Sequence, residues 1–210
     1  MVVKLTYFAM SGRGEPIRLL LSYSKTEFED IRIGTAEEWQ KLKPTLKLPH
    51  LPMLEVDGKT YFQAFAICRY LARKAGLNGS SEEEGLAIDA TVDTLMDMIT
   101  KIIPAYYRPD SEERSKLLKA LVEDTIPFYL NIIEKQLEEN NGFLVAGKLT
   151  WADFVVLTVG TYLPGLFKVD ILADFPKLKE HHQKISELPG IKEWIEKRPA
   201  DPEDYRTLFF

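Results

Sequence analysis

The sequence predicts an α/β domain over residues 1–77 and an all-helical domain over 81–210, and three observations carry the prediction. Strand and helix patterns alternate from Val2 to Ala75 in the order β-α-β-α-β-β-α. Between Leu51 and Tyr70 a proline, a short apolar strand, an Asp57-Gly58 turn, a second strand and a helix start follow one another closely. Beyond Asn78-Gly79-Ser80-Ser81 strand signals fade and helical periodicity takes over.

Val2–Phe8 is strand-like and breaks at Ser11-Gly12-Arg13-Gly14. Glu15-Pro16 then opens a helix, because proline is tolerated in a first turn whose N–H groups lack partners anyway; Ile17, Leu20 and Leu21 trace its apolar face. Phe28–Ile33 alternates apolar and polar residues, as a half-buried strand does. A short helix over 36–43 and the Pro44–Pro49 loop lead to the hairpin. Pro52 cannot donate a ladder hydrogen bond and belongs at the head of its strand; its place after Leu51 invites a cis bond that turns the Leu51 backbone outward. Asp-Gly is the strongest short-range hairpin signal, and a helix from Ala64 to Ala75 closes the domain. Ser81 reads as an N-cap followed by Glu82-Glu83-Glu84, acids that suit the positive end of a helix dipole. Helical patterns cover 82–107, 111–140, 150–167 and two shorter stretches to Lys197. Thr150-Trp151-Ala152-Asp153 forms a capping box ahead of an apolar run, which gives Asp153 a structural role.

Composition narrows the function. With 45% hydrophobic and 28% charged residues the chain reads as an ordinary globular protein. A net charge of -5 with no basic stripe argues against nucleic acid as a partner. No apolar run approaches the roughly 20 residues of a membrane span, and Met1–Phe8 lacks the basic start and length of a signal peptide. The single cysteine, Cys68, excludes internal disulfides and suits a buried hydrophobe better than a nucleophile. His50, His181 and His182 show no metal-ligand spacing, so no metal is expected. These features predict a reduced, cytoplasmic protein.

The Leu51–Ala64 stretch carries the first functional signal. An outward-turned backbone beside a hairpin, followed by a helix N-terminus, makes a docking edge for a small peptide bearing a carboxylate.

Lys4–Phe8, Gly12–Glu15, Glu38-Trp39, Leu51–Gly58, Ala66–Leu71 and Leu149–Phe154 together resemble the sigma class of the cytosolic glutathione S-transferases, in the expected order from Val3 to Pro199. The resemblance implies a thioredoxin-like N-terminal domain that binds glutathione as co-substrate, a helical domain holding a hydrophobic small molecule, and a homodimer. It gives the catalytic role to Tyr7, with Arg13 assisting electrostatically. A free thiol has a pKa of ~8.5 and a phenol ~10, so near neutrality the phenol donates. A charge-assisted hydrogen bond worth ~1.5–3 kcal/mol lowers the thiol pKa by roughly one to two units and populates the thiolate nucleophile. Trp39 and Lys43 would hold the glycine end, Leu51 beside Pro52 would pair the cysteinyl backbone, and Gln63 would reach the γ-glutamyl end, with His50, Ala64 and Asp97 also at glutathione-site positions. Phe8, Ala9, Arg13, Met96, Met98, Ile102, Tyr106 and Tyr107 would line the hydrophobic substrate site.

Without the resemblance, Tyr7 equally suits a strand aromatic beneath a helix, Trp39 a core residue, Lys43 a solvated charge, and the methionine–aromatic stripe a plain core. Three positions depart from the family's pattern. Ala64 stands where a serine usually contacts the γ-glutamyl carboxylate, Met96 where an acid often reaches the neighbouring subunit's glutathione, and His50 where lysine or glutamine is usual. Two functions therefore compete: conjugation of glutathione to hydrophobic electrophiles, accompanied in some members of the class by isomerase activity, and a weakly catalytic or non-catalytic carrier of a hydrophobic ligand. Ala200–Phe210 lies beyond the resemblance and reads only as a mobile or docking terminus.

Overall fold

The computed structural model describes residues 2–209; Met1 and Phe210, which end the segments read above as a start without a leader and as a tail, lie outside the described residues. The chain divides into two compact units. The first comprises the described residues within Met1–Leu77 and Ser186–Phe210, and the second is Asn78–Ile185.

In the first unit, β1 (Val3–Phe8), α1 (Glu15–Tyr23), β2 (Glu29–Ile33), α2 (Ala36–Leu42), β3 (Met53–Val56), β4 (Lys59–Phe62) and α3 (Ala64–Ala75) follow the expected order. The sheet runs β2-β1-β3-β4, with β1 parallel to β2 and antiparallel to β3. Leu5, Ile17, Leu20, Leu21, Leu54, Ile67 and Ala72 are buried where α1 and α3 cover the sheet. The Leu51–Pro52 bond is cis. Asp57 and Gly58 both have positive φ, the backbone that a two-residue hairpin of matching twist requires. This is a thioredoxin-like fold.

Residues 186–209 differ from the expected division, which placed everything after 81 with the helical domain. Trp194 of α9 (Ile191–Lys197) donates its indole N–H to Glu15 at 2.7 Å, and Arg198 also bonds Glu15. The terminus is packed rather than mobile: it ends in a short 3-10 turn, Tyr205–Leu208, whose Tyr205 and Leu208 are buried.

The second unit holds α4 (Glu82–Tyr106), α5 (Glu112–Ala120), α6 (Ile126–Glu139), α7 (Trp151–Phe167) and α8 (Pro176–Ser186), whose last residue passes into the first unit. Ser81 caps α4 by accepting the Glu84 N–H at 3.2 Å. The long pattern over 111–140 is broken by a π turn at Leu121–Thr125. Pro127 follows it in the first turn of α6; proline lacks the N–H for an i→i−4 bond and its ring clashes with that carbonyl, and the wider turn relieves both. α7 is apolar on every side and forms the unit's centre. Asp153 ties its start together: one carboxylate oxygen accepts the Thr150 N–H at 2.7 Å, and the other accepts the Leu144 N–H at 3.2 Å and the His181 Nε2–H at 2.8 Å. Its role is structural, as the capping box predicts.

Candidate active site

The sheet register gathers the predicted residues of the first unit at one end. Phe8 pairs with Ile33, Thr6 with Met53, and Met53 with Phe62. The next positions along, Tyr7, Pro52 and Gln63, therefore fall at the same end of the sheet. The parallel strand β2 also ends there and feeds α2, which carries Trp39, with Lys43 opening the 3-10 turn that follows.

The Tyr7 end of this edge is tightly built. Tyr7 is 5% exposed, and its Oη accepts the Arg13 backbone N–H at 3.0 Å, which leaves the phenolic O–H to donate elsewhere. Burial pushes the Tyr7 pKa up, opposed by that hydrogen bond and by the Arg13 and Arg18 charges. The phenol thus stays protonated at neutral pH. Gly12 and Gly14 let the loop close over the ring: a Cβ on Gly12 would stand 2.7 Å from Tyr7 Oη, and one on Gly14 would stand 2.5 Å from its Cδ1. Gly12 also has φ +40°, which side-chain-bearing residues rarely adopt. Beneath the loop, the fully buried Arg18 donates to the Met10 carbonyl at 2.8 Å and pairs with Glu15 at 3.2 Å and Asp30 at 2.8 Å. A buried guanidinium is tolerated because each side of the fork is paired. Its carbon lies 5.8 Å from the Tyr7 ring centre.

The opposite end is open. Lys43, His50 and Gln63 are exposed; so is Arg13, on the Tyr7 loop. Among the described residues the Lys43 ammonium and the Arg13 guanidinium have no ion-pair partner, and the Leu51 N–H and C=O make no backbone hydrogen bond. Gln63 holds φ +75° just before α3, a costly conformation for a residue with a side chain and of the kind that gathers at ligand sites. No side chain caps the α3 N-terminus that follows, and Ala64 offers none. Donors aimed out of a helix start and an unpaired strand-like backbone fit a small peptide with a carboxylate.

Phe8 is buried, with Trp39 edge-on to it at 5.4 Å, and Ala9 is half-buried. In the second unit Met98 and Ile102 have no exposed surface and take the core role that their stripe also allowed; Tyr106 is buried, Met96 and Tyr107 are half-buried, and Asp97 is exposed. Cys68 is wholly buried and burial pushes its thiol pKa up, which removes it as a nucleophile. Among the described residues no three metal-binding side chains cluster, and no helix is long and apolar enough to cross a membrane. Sequence reasoning missed the packing role of Gly12 and Gly14 and the Arg18 network. A Gly-x-Gly five residues beyond a tyrosine near a strand's end is the signal that could have disclosed the first.

A thioredoxin-like sheet with a hydrogen-bonded tyrosine at one end of an open edge and an uncapped helix start at the other is an arrangement suited to a small peptide bearing a thiol and a carboxylate. Two family models match the chain: "Glutathione S-transferase, N-terminal domain" over residues 3–73 and "Glutathione S-transferase, C-terminal domain" over 96–198. The chain belongs to the glutathione S-transferase family, an enzyme family whose co-substrate is glutathione. It is 44% identical to a glutathione S-transferase of Anopheles gambiae, over 93% of this chain and 96% of that one. It is 36% identical to human hematopoietic prostaglandin D synthase over the same shares. The solved structure of prostaglandin synthase D of Nilaparvata lugens superposes with a TM-score of 0.91 at 41% identity, covering 95% of this chain and all of that one.

Proposed function

We propose that this protein conjugates the glutathione thiolate to hydrophobic electrophiles, with Tyr7 as the catalytic residue. The observation that carries the reading is the Tyr7 hydrogen-bond arrangement: the phenolic oxygen takes the Arg13 N–H and keeps its own proton for the thiolate. The sulfur attacks an electrophilic carbon, a C–S bond forms, the leaving group departs with its electron pair, and the thiol proton passes to solvent. Arg13, exposed on the same loop, supplies positive charge beside the sulfur. Trp39, Lys43, Leu51 and Gln63 position the tripeptide, and Phe8 and Ala9 on the same unit contact the electrophile. The prostaglandin D synthases among the relatives favour a glutathione-dependent isomerisation as a further use of the same thiolate.

The protein acts in the cytoplasm as a C₂ homodimer. Tyr61 and Tyr70, 48% and 45% exposed, flank an apolar hollow floored by Leu54 and Ile67, a surface suited to a second copy. Sedimentation should give about twice the 24.1 kDa chain mass at micromolar concentration; a monomer would remove the dimer.

The uncapped α3 start beside Ala64 favours one competing function, a ligand carrier with eroded glutathione affinity. Calorimetry separates the two. Glutathione binding at millimolar concentration or below, together with turnover of chlorodinitrobenzene, supports the transferase. No heat with glutathione, alongside tight binding of an apolar dye, supports the carrier.

A further inference from the structure

Beneath the Tyr7 loop runs a chain of five charged side chains of alternating sign. Arg198 pairs with Glu15, Glu15 with Arg18 at 3.2 Å, Arg18 with Asp30 at 2.8 Å, and Asp30 with Arg32 at 2.7 Å. Glu15 also accepts the Trp194 indole N–H at 2.7 Å. Arg32 stands opposite Tyr7 in the register of β1 and β2, so the two side chains share one face of the sheet. Three cations meet two carboxylates, and the cluster keeps an excess of positive charge. Replacing a buried cluster of this kind by apolar residues is often neutral or stabilising, so stability does not account for it. Its position does. The loop beyond β1 is tied down by the Ala9 N–H on the Ile33 carbonyl at 2.9 Å, by the Ser11 N–H on Asp201 at 2.7 Å, and by the Glu15 N–H on the Ser11 carbonyl at 3.0 Å. Between those points Arg18 Nη1 donates to the Met10 carbonyl at 2.8 Å, and the same guanidinium lies 5.8 Å from the Tyr7 ring centre.

We propose that Arg18 is a positioning residue for the thiol step: held by Glu15 and Asp30, it fixes the loop that bonds Tyr7 and sets a positive charge beside the phenol. The proposal rests on the glutathione reading above. A cation near an aromatic ring stabilises negative charge developing on it, so the Tyr7 O–H donates more strongly and the bound thiolate is favoured. The charged groups that face Tyr7 act in both directions. Burial pushes its pKa up, the Arg13 and Arg18 charges pull it back, and Asp201 adds to the rise.

Titrating the ultraviolet absorbance of the thiolate in the glutathione complex reads the bound thiol's pKa without turnover. Calorimetry with S-methylglutathione, which has no thiol proton to lose, reads peptide binding alone. Arg18→Met should raise the bound-thiol pKa by about half a unit to one unit, a roughly three- to ten-fold smaller thiolate fraction at pH values below it, with S-methylglutathione affinity unchanged. Arg18→Lys keeps the charge and should recover most of that shift. Asp30→Asn keeps an oxygen for the Arg18 Nε–H but removes the neighbouring negative charge, so it should move the thiol pKa the opposite way, downwards. A merely structural Arg18 would lower Tm in Arg18→Met and leave the bound-thiol pKa at the wild-type value, which would overturn the proposal. If Arg18→Met does not fold, Asp30→Asn decides, and an unchanged or raised thiol pKa there would overturn it equally. Absence of S-methylglutathione binding to the wild type would instead remove the glutathione reading and the proposal with it.

Discussion

The two ends of the ligand edge are built on opposite principles. At the Tyr7 end the ring is buried, its oxygen already holds a backbone hydrogen bond, and two glycines let the loop press against it. At the Gln63 end that residue is exposed and strained, and the helix start beside Ala64 carries no side-chain cap. The chemistry needs a donor fixed before the thiol arrives, because only a preorganised dipole stabilises charge without reorganising during reaction. On the proposed reading, binding at the Gln63 end needs no such rigidity. The proposed function thus sets a rigid Tyr7 end against an open Gln63 end.

Breaking the rigid end should produce the largest effect. Tyr7→Phe removes the O–H donor and should lower kcat/KM for conjugation ten- to a hundred-fold at neutral pH, equivalent to the ~1.5–3 kcal/mol of a charge-assisted bond. The sign in pH follows from the thiol. On the proposed mechanism the Tyr7 O–H brings the bound thiol below the free value of ~8.5, so the mutant's rising limb should move to higher pH and the two rates should converge above that value. Because burial raises the Tyr7 pKa, no falling limb from phenol ionisation should appear in the wild type near pH 8–9. A rate profile identical in both proteins would remove Tyr7 from the mechanism.

Gly14→Ala tests whether the loop packs as tightly as the distances require. Its new Cβ would press against the Tyr7 ring, and overpacking of that kind costs about 1–3 kcal/mol. Thermal denaturation should show the loss, and the turnover of bound glutathione should fall with it as the Arg13 N–H is displaced.

The open end should respond in the other direction. Ala64→Ser restores a hydroxyl at the α3 start and should tighten glutathione roughly ten-fold, ~1.4 kcal/mol, while kcat changes little. A gain in kcat with unchanged affinity would show that the two ends are not separable. Met96→Asp should add to that gain only in the dimer, through the neighbouring subunit.

Cys68→Ala gives the smallest effect and leaves both ends untouched. Burial raises the Cys68 pKa, so the folded thiol stays neutral while the unfolded one ionises near pH 8.5. Stability is full below that pH and is lost as pH rises towards the folded pKa. The variant should flatten the alkaline fall in Tm, by less than about 1 kcal/mol at pH 9, and a slope equal to that of the wild type would contradict it.

How much of this was legible differs by region. The order of strands and helices, the cis Leu51–Pro52 bond, the Asp57-Gly58 turn, the Ser81 cap and the Asp153 box follow from local rules, because turn chemistry, capping and periodicity act over a few residues. Tyr7, Gln63 and Ala64 could be named from motifs, but nothing local states that they share one end of a sheet; the register of β1, β3 and β4 does that. Met98 and Ile102 show the converse, since a methionine–aromatic stripe reads alike as core or as binding surface until burial is known. The C-terminal segment was the least legible. Asp201 and Ser11 lie 190 positions apart, and Glu15 meets Trp194 across 179. By itself the sequence determined the element order, the caps and turns, and the residue types suited to thiol chemistry, because their causes are near neighbours along the chain. Only the tertiary structure decided which carboxylate answers which N–H, because such pairings depend on distances that chain order does not encode.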